Sequence, residues 1–186
     1  MGIVSKYVER LRCRDPTLDV INLFDKQLAN AELVELADCL LAHPDIVKSI
    51  YLAFNRLTDE TGVKLARYVA ASSTIEFLNL TYNQFSEATY LAVAAALRVN
   101  SSMRVLLFND NQAVVRKSVD AAFVDVLRLN PVHPAWSAWH LYSLREFSDA
   151  DFKRLKDAAE KSTPPSMLEF LLCVHLDAEK TKIKIH

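Results

Sequence analysis

The sequence predicts an α/β solenoid, a right-handed superhelix of strand–loop–helix units with a parallel sheet on the concave side and helices on the convex side, in about five to six repeats. Two observations predict it. An eleven-residue pattern, L-x-x-L-x-L-x-x-N-x-L, recurs at Leu18 (LDVINLFDKQL), Val47 (VKSIYLAFNRL), Ile75 (IEFLNLTYNQF) and Met103 (MRVLLFNDNQA), with starts 29, 28 and 28 residues apart. Between these segments, apolar pairs return at a spacing that the pattern does not require: Leu36 and Leu40, Leu65 and Val69, Val93 and Leu97. Residues four apart share one helix face, so each strand is followed by a helix with a buried stripe.

Within each segment the fourth and sixth positions are apolar: Ile21 and Leu23, Ile50 and Leu52, Leu78 and Leu80, Leu106 and Phe108. That alternation is a short strand with one buried face. Asn55, Asn83 and Asn111 hold the ninth position, where a side-chain amide can serve backbone groups of the turn leaving the strand; the first repeat has Lys26 there. Thr58 and Ser86 directly precede Asp59 and Glu87, a hydroxyl cap followed by a carboxylate favoured at the positive end of the helix dipole.

Further along the pattern loosens. Trp136, Trp139 and Leu141 suggest a fifth strand, and Phe147 followed by Ser148, Asp149, Phe152, Leu155 and Ala159 repeats the helix register. Pro131 and Pro134 lengthen the connection before it, and LEFLLC from Leu168 echoes IEFLNL as a last strand. The expected organisation is one domain over residues 1–186: a helical cap over 1–17, carrying Val4, Tyr7, Val8 and Leu11 at helical spacing, repeats over 18–167, and a terminal strand and tail over 168–186.

With 22 basic and 23 acidic residues the chain lacks the positive field that nucleic-acid or anionic-membrane binding usually requires. Cys13, Cys39 and Cys173 form no C-x-x-C pair, and the start has no signal-peptide pattern, so a reducing, cytoplasmic setting is expected. Two glycines are too few for a phosphate-cradling loop, and Lys6 stands where a myristoylation signal needs Ser or Thr. His43, His133, His175 and His186 show no metal-ligand spacing, and Cys39, beside Leu40 on a helix packing inward, reads as core. No cofactor is expected.

The 28 to 29 residue repeat resembles the ribonuclease-inhibitor type of leucine-rich repeat. Inside that class, residues 97–131, including FNDNQ at Phe108 and the helix SVDAAFVDVLRLNP, resemble the leucine-rich-repeat domain of tropomodulins. Tropomodulins cap the slow-growing ends of actin filaments, so the resemblance implies a cytoskeletal, actin-related partner. A Ran GTPase-activating protein is also similar in repeat type, which keeps a GTPase-activating or other regulatory role as the alternative.

In such a solenoid the third, fifth, seventh and eighth positions of each segment face outward from the sheet. They include Val20, Ser49, Ala53, Thr81 and Val105, and, as the candidate protein-binding residues, Phe24, Tyr51, Phe54, Phe77, Asn79, Tyr82, Leu107, Asn109, Asp110, His140 and Tyr142. Aromatic anchors within a polar rim are the usual makeup of a binding hot spot. Asp25 and Asp110 are on the order of three strand spacings apart, too far for a glycosidase pair. His140 has no catalytic motif around it. The expected function is therefore a non-enzymatic protein-interaction module acting through its concave face.

Overall fold

The computed structural model describes residues 2–108, 111–112 and 117–129. Along the chain these form α1 (Ile3–Arg12), β1 (Val20–Asn22), α2 (Asn30–Ala42), β2 (Ser49–Tyr51), α3 (Asp59–Ala71), β3 (Phe77–Asn79), α4 (Glu87–Leu97), β4 (Val105–Leu107) and α5 (Lys117–Leu129). The four strands make one parallel sheet in chain order. Register follows the repeat: Val20 pairs with Ser49, Ser49 with Phe77 and Phe77 with Val105, offsets identical to the spacing of the pattern. The expected fifth and sixth repeats, around residues 136–159 and 168–173, lie outside the described residues.

One core joins strands and helices. Ile21, Ile50, Leu78 and Leu106 point from the strands into it, and Leu36, Leu40, Leu65, Val69, Val93 and Leu97 meet them from the helices. Burying such a Leu, Ile or Val contributes roughly 1.5–3 kcal/mol each, which is why so short a strand can be held. At the C-terminal end Phe85, Tyr90 and Phe108 thicken the core, with Tyr90 and Phe108 stacked at 4.2 Å. Tyr68 is fully buried and donates to the Val47 carbonyl at 3.3 Å; burial pushes its hydroxyl pKa up to about 12, against a smaller lowering from Ser72.

Where a parallel sheet buries one face, each repeat must also satisfy the backbone of its bends. The ninth-position asparagines do this for their own repeat, where Asn55, Asn83 and Asn111 donate to the Leu52, Leu80 and Phe108 carbonyls, and for the repeat before it. Asn55 accepts from the Leu28 N–H at 2.9 Å and donates to the Leu23 carbonyl at 2.9 Å. Asn83 does the same with Leu57 N–H (3.1 Å) and the Leu52 carbonyl (2.9 Å), and Asn111 with Phe85 N–H (3.2 Å) and the Leu80 carbonyl (3.1 Å). Lys26 breaks the ladder at its first rung, beside the edge strand β1.

Helix starts are also tied across repeats, which corrects an expectation. Thr58 and Ser86 do sit at the N-caps of α3 and α4, but neither hydroxyl caps its own helix. The first residue of the preceding helix does so instead. Asn30 Oδ1 accepts from Thr58 N–H (3.0 Å) and the Thr61 hydroxyl (2.9 Å), and Asp59 accepts from the N–H and hydroxyl of both Ser86 and Thr89. Glu87, one repeat later, receives the hydroxyl of Ser118 in α5. Burial pushes the Asp59 carboxyl up, yet the hydrogen bonds from Ser86 and Thr89 outweigh it and hold it below its ordinary value.

Close helix packing accompanies these ties. A Cβ on Gly62 would lie 2.3 Å from Thr89 Oγ1 and 2.9 Å from Phe85 Cδ1, so glycine is what lets α3 and α4 approach at the point where Asp59 reaches across. At the other edge, α1 packs Val4, Val8 and Leu11 into the core, and its Tyr7 hydroxyl takes the Asn22 N–H (3.2 Å) and reaches the Asn22 carbonyl (3.3 Å). That occupies polar groups of the edge strand β1 that would otherwise be open to another strand.

Candidate functional site

The sheet face turned away from the helices carries the third and fifth positions. Val20 and Asn22 are exposed there, while Ser49, Tyr51, Phe77, Asn79, Val105 and Leu107 are half-buried by one another. Tyr51 and Phe77 lean together at 4.7 Å and form its floor. Asn22 and Asn79 turn their amide oxygens onto their own strand ends, accepting from Phe24 N–H at 3.1 Å and Thr81 N–H at 3.1 Å.

A ridge of three aromatic side chains rises at the end of this face. Phe24 meets Phe54 edge-on at 5.3 Å, and Phe54 stacks on Tyr82 at 4.2 Å with their planes 16° apart. All three remain 44 to 48% exposed. Their exposure is unusual in kind, since single exposed apolar residues need no account but a contiguous aromatic run does.

Backbone geometry sharpens the point. The eighth position is left-handed in each repeat that is described there, with φ of 51° at Asp25, 59° at Phe54 and 52° at Tyr82. Asp tolerates that region, whereas for a bulky aromatic residue it costs about 1–3 kcal/mol and persists only where the surroundings enforce it. They do so here: Asp25 N–H and Phe54 N–H still donate to the Ala53 and Thr81 carbonyls of the next strand at 3.0 and 3.1 Å, and buried Asn55 and Asn83 follow directly. Folding alone would favour Gly, Asn or Asp at this place, so the aromatic choice is not explained by stability.

The tenth position, two residues beyond the eighth in each repeat, is also exposed at Gln27, Arg56 and Gln84, with Arg56 donating to Gln27 Oε1 at 3.3 Å. Asp25 is exposed at the Phe24 end. The surface is thus aromatic at its crest, with charged Asp25, Lys26 and Arg56 exposed within two residues of its rings in sequence.

Of the residues expected to bind, Phe24, Phe54 and Tyr82 are brought together in the ridge, and Tyr51, Phe77, Asn79 and Leu107 lie on the adjoining sheet face. Asn109, Asp110, His140 and Tyr142 lie outside the described residues. Ala53 corrects a detail: expected to face outward at the seventh position, it is fully buried. Cys39 is half-buried and packs against the core, and Cys13 is exposed. Among the described residues no group of three His, Cys, Asp or Glu side chains is placed to hold a metal, and no helix is long and apolar enough to cross a membrane.

Sequence reasoning missed the tenth-position row, although Gln27, Arg56, Gln84 and Gln112 recur at the repeat spacing and could have been found by it. It also missed Asn30, and it read Asp59 and Glu87 as local dipole partners, although the three share one recurring position and their partners lie a whole repeat away.

No family model matches the chain. In sequence it is similar to leiomodin-2 of Gallus gallus, 23% identical over 128 residues, and to leiomodin-1 of Homo sapiens, 24% identical over 129 residues, each alignment covering 69% of this chain. The matched part spans only 23% and 22% of those proteins' lengths. In structure it is similar to actin-binding site 2 of leiomodin-1, with a TM-score of 0.70, 20% identity and coverage of 98% of this chain and 99% of that one. The tropomodulin C-terminal domain of Caenorhabditis elegans gives a TM-score of 0.68 at 14% identity, covering 94% of this chain and 98% of that one. In fold the chain is similar to the leucine-rich-repeat-like α/β domains of leiomodin-1 and tropomodulin, and in sequence it is similar to leiomodins.

Proposed function

We propose that this chain is a non-enzymatic interaction module of the cytoskeleton that binds actin through the concave face of its sheet, anchored by Phe24, Phe54 and Tyr82. We further propose that residues 1–186 form a single solenoid domain, with 1–17 as its cap, 18–167 as its repeats and 168–186 as its terminal strand and tail. The observation that carries the site is the placement of Phe54 and Tyr82, exposed and stacked at 4.2 Å, on left-handed backbone that disfavours them. The choice of partner is supported by the likeness to a leiomodin-1 domain that bears the name of an actin-binding site.

Aromatic anchors of this kind supply contact area at low entropy cost when their backbone is already fixed, and the asparagine ladder fixes it. Purified actin titrated against the wild-type chain and the Phe54→Ala, Tyr82→Ala double variant tests the reading. Loss of both anchors is expected to weaken binding by about tenfold or more, equivalent to about 1.4 kcal/mol, in a variant that melts like the wild type. Undiminished affinity in the folded double variant would place the actin contact elsewhere.

A further inference from the structure

We infer that the element of actin received by the ridge is an α-helix laid across the strands, offering one apolar residue per turn to each successive repeat. The inference rests on the preceding reading that actin occupies this face. It comes from a match of spacings. Three neighbouring repeats each give the ridge one ring, Phe24 from the seventh position and Phe54 and Tyr82 from the eighth, and the steps between ring centroids are 5.3 Å from Phe24 to Phe54 and 4.2 Å from Phe54 to Tyr82.

A helix climbs about 5.4 Å per turn, so residues at i, i+3 or i+4, and i+7 come within about 1 Å of the longest span that the two ring steps allow. An extended segment repeats its same-face side chains every ~6.7 Å and would drift out of step by about 4 Å over the same three rings. A polyproline helix, at about 9.3 Å per turn, would skip a ring at each turn and would need gaps between the rings to seat its prolines. Phe54 and Tyr82, stacked with planes 16° apart, leave no such gap.

Charge bears on the stripe of that helix. The three rings are uncharged, while Asp25 and Lys26 are exposed directly after Phe24, and Arg56, exposed two residues after Phe54, donates to Gln27. A helix with an apolar stripe complements the rings, whereas a charged stripe would lose its hydration to them.

Photo-crosslinking reads the geometry directly. Three full-length variants, each with p-benzoylphenylalanine replacing Phe24, Phe54 or Tyr82, are irradiated with purified actin, and the adducts are located by mass spectrometry. The expected adducts fall three or four residues apart along one actin helix, in the order 24, 54, 82 or its reverse. Adducts on an extended segment, or on separate segments, overturn the helix while leaving the concave site standing. An absence of adducts from all three positions, with actin bound, overturns both the helix and the concave site. If the wild-type chain binds no actin, the choice of partner fails and the helix fails with it.

Discussion

Asp59, the first residue of α3, closes the start of α4 in place of its own: its Oδ1 accepts Ser86 N–H at 2.8 Å and the Thr89 hydroxyl at 2.5 Å. Removing it should therefore injure the joint between two repeats and not a single helix. Asp59→Ala is expected to destabilise the fold by about 1–3 kcal/mol, the cost of a lost N-cap with part-buried donors left unpaired. Asp59→Asn should cost clearly less, because Asn30 holds α3 through the same contacts with an amide. Urea unfolding of the two variants separates these outcomes, and equal losses would mean that the charge, not the hydrogen-bond geometry, closes the joint.

Gly62 lies on that same joint and should resist any side chain. The nearest atom to an added methyl would be Thr89 Oγ1 at 2.3 Å, itself held by Asp59 at 2.5 Å and so unable to swing away. Gly62→Ala is expected to cost about 1–3 kcal/mol, against the ordinary gain of about 0.8–1 kcal/mol for Gly to Ala within a helix. A double-mutant cycle with Thr89→Ala should show strong coupling, the alanine costing less once the threonine is gone. Additive losses would show that the tight contact relaxes freely.

The asparagine ladder makes a paired prediction. Asn83→Ala strips a hydrogen bond from the buried Leu57 N–H and the Leu52 carbonyl together and should cost about 2–4 kcal/mol. Lys26→Asn restores the repeat pattern in sequence, but the Leu23 carbonyl that its amide would meet in its own repeat already accepts from Asn55, so its stability should stay within about 0.5 kcal/mol of the wild type. Chemical denaturation of both variants checks it; a large gain from Lys26→Asn would mean that the bonds to an asparagine's own repeat carry most of the ladder's stability.

Acid should act on Asp15 in a window set by its hydrogen bonds. The Thr17 hydroxyl, the Arg10 side chain and the Thr17 N–H bring its carboxyl down to about 2. A carboxyl lowered on folding stabilises fully above its unfolded pKa, about 3.9, and that contribution disappears as pH falls toward about 2. The stability difference between the wild type and Asp15→Asn should thus be constant above about pH 5 and shrink steadily below it. Because the pair with Arg10 is only half-buried, added salt should shrink the difference as well. A gap that is independent of pH would leave the carboxylate without an energetic role.

Much of this architecture can be read from residue order because a repeat states its geometry several times. The offsets of 29 and 28 residues that align Leu18, Val47 and Ile75 in sequence reappear unchanged as the pairing of Val20 with Ser49 and Ser49 with Phe77. Helix faces such as Leu65 with Val69 follow from spacing alone. The caps do not, since Ser86 before Glu87 reads as a local device while its actual partner, Asp59, is 27 residues back. The left-handed eighth position is also hidden: Asp25 suggests it, but Phe54 and Tyr82 are residues that normally argue against it. Sequence could therefore nominate the ridge residues, and only the backbone showed that they occupy it against their own preference.

That preference yields the most direct test of whether the ridge was selected for binding. Phe54→Asn would place a residue that tolerates left-handed backbone at a φ of 59°, regaining part of the strain of about 1–3 kcal/mol, while losing ring contacts to Phe24 and Tyr82 that are worth about 0.5–1.5 kcal/mol each. The two effects oppose each other, so the melting temperature should change little. Actin affinity, on the reading argued above, should fall about tenfold or more, since the central ring of the three is gone. Stability preserved with binding lost is the signature of a residue retained for its partner. A variant that loses stability and keeps its affinity would instead make Phe54 a packing residue and leave the ridge without its proposed role.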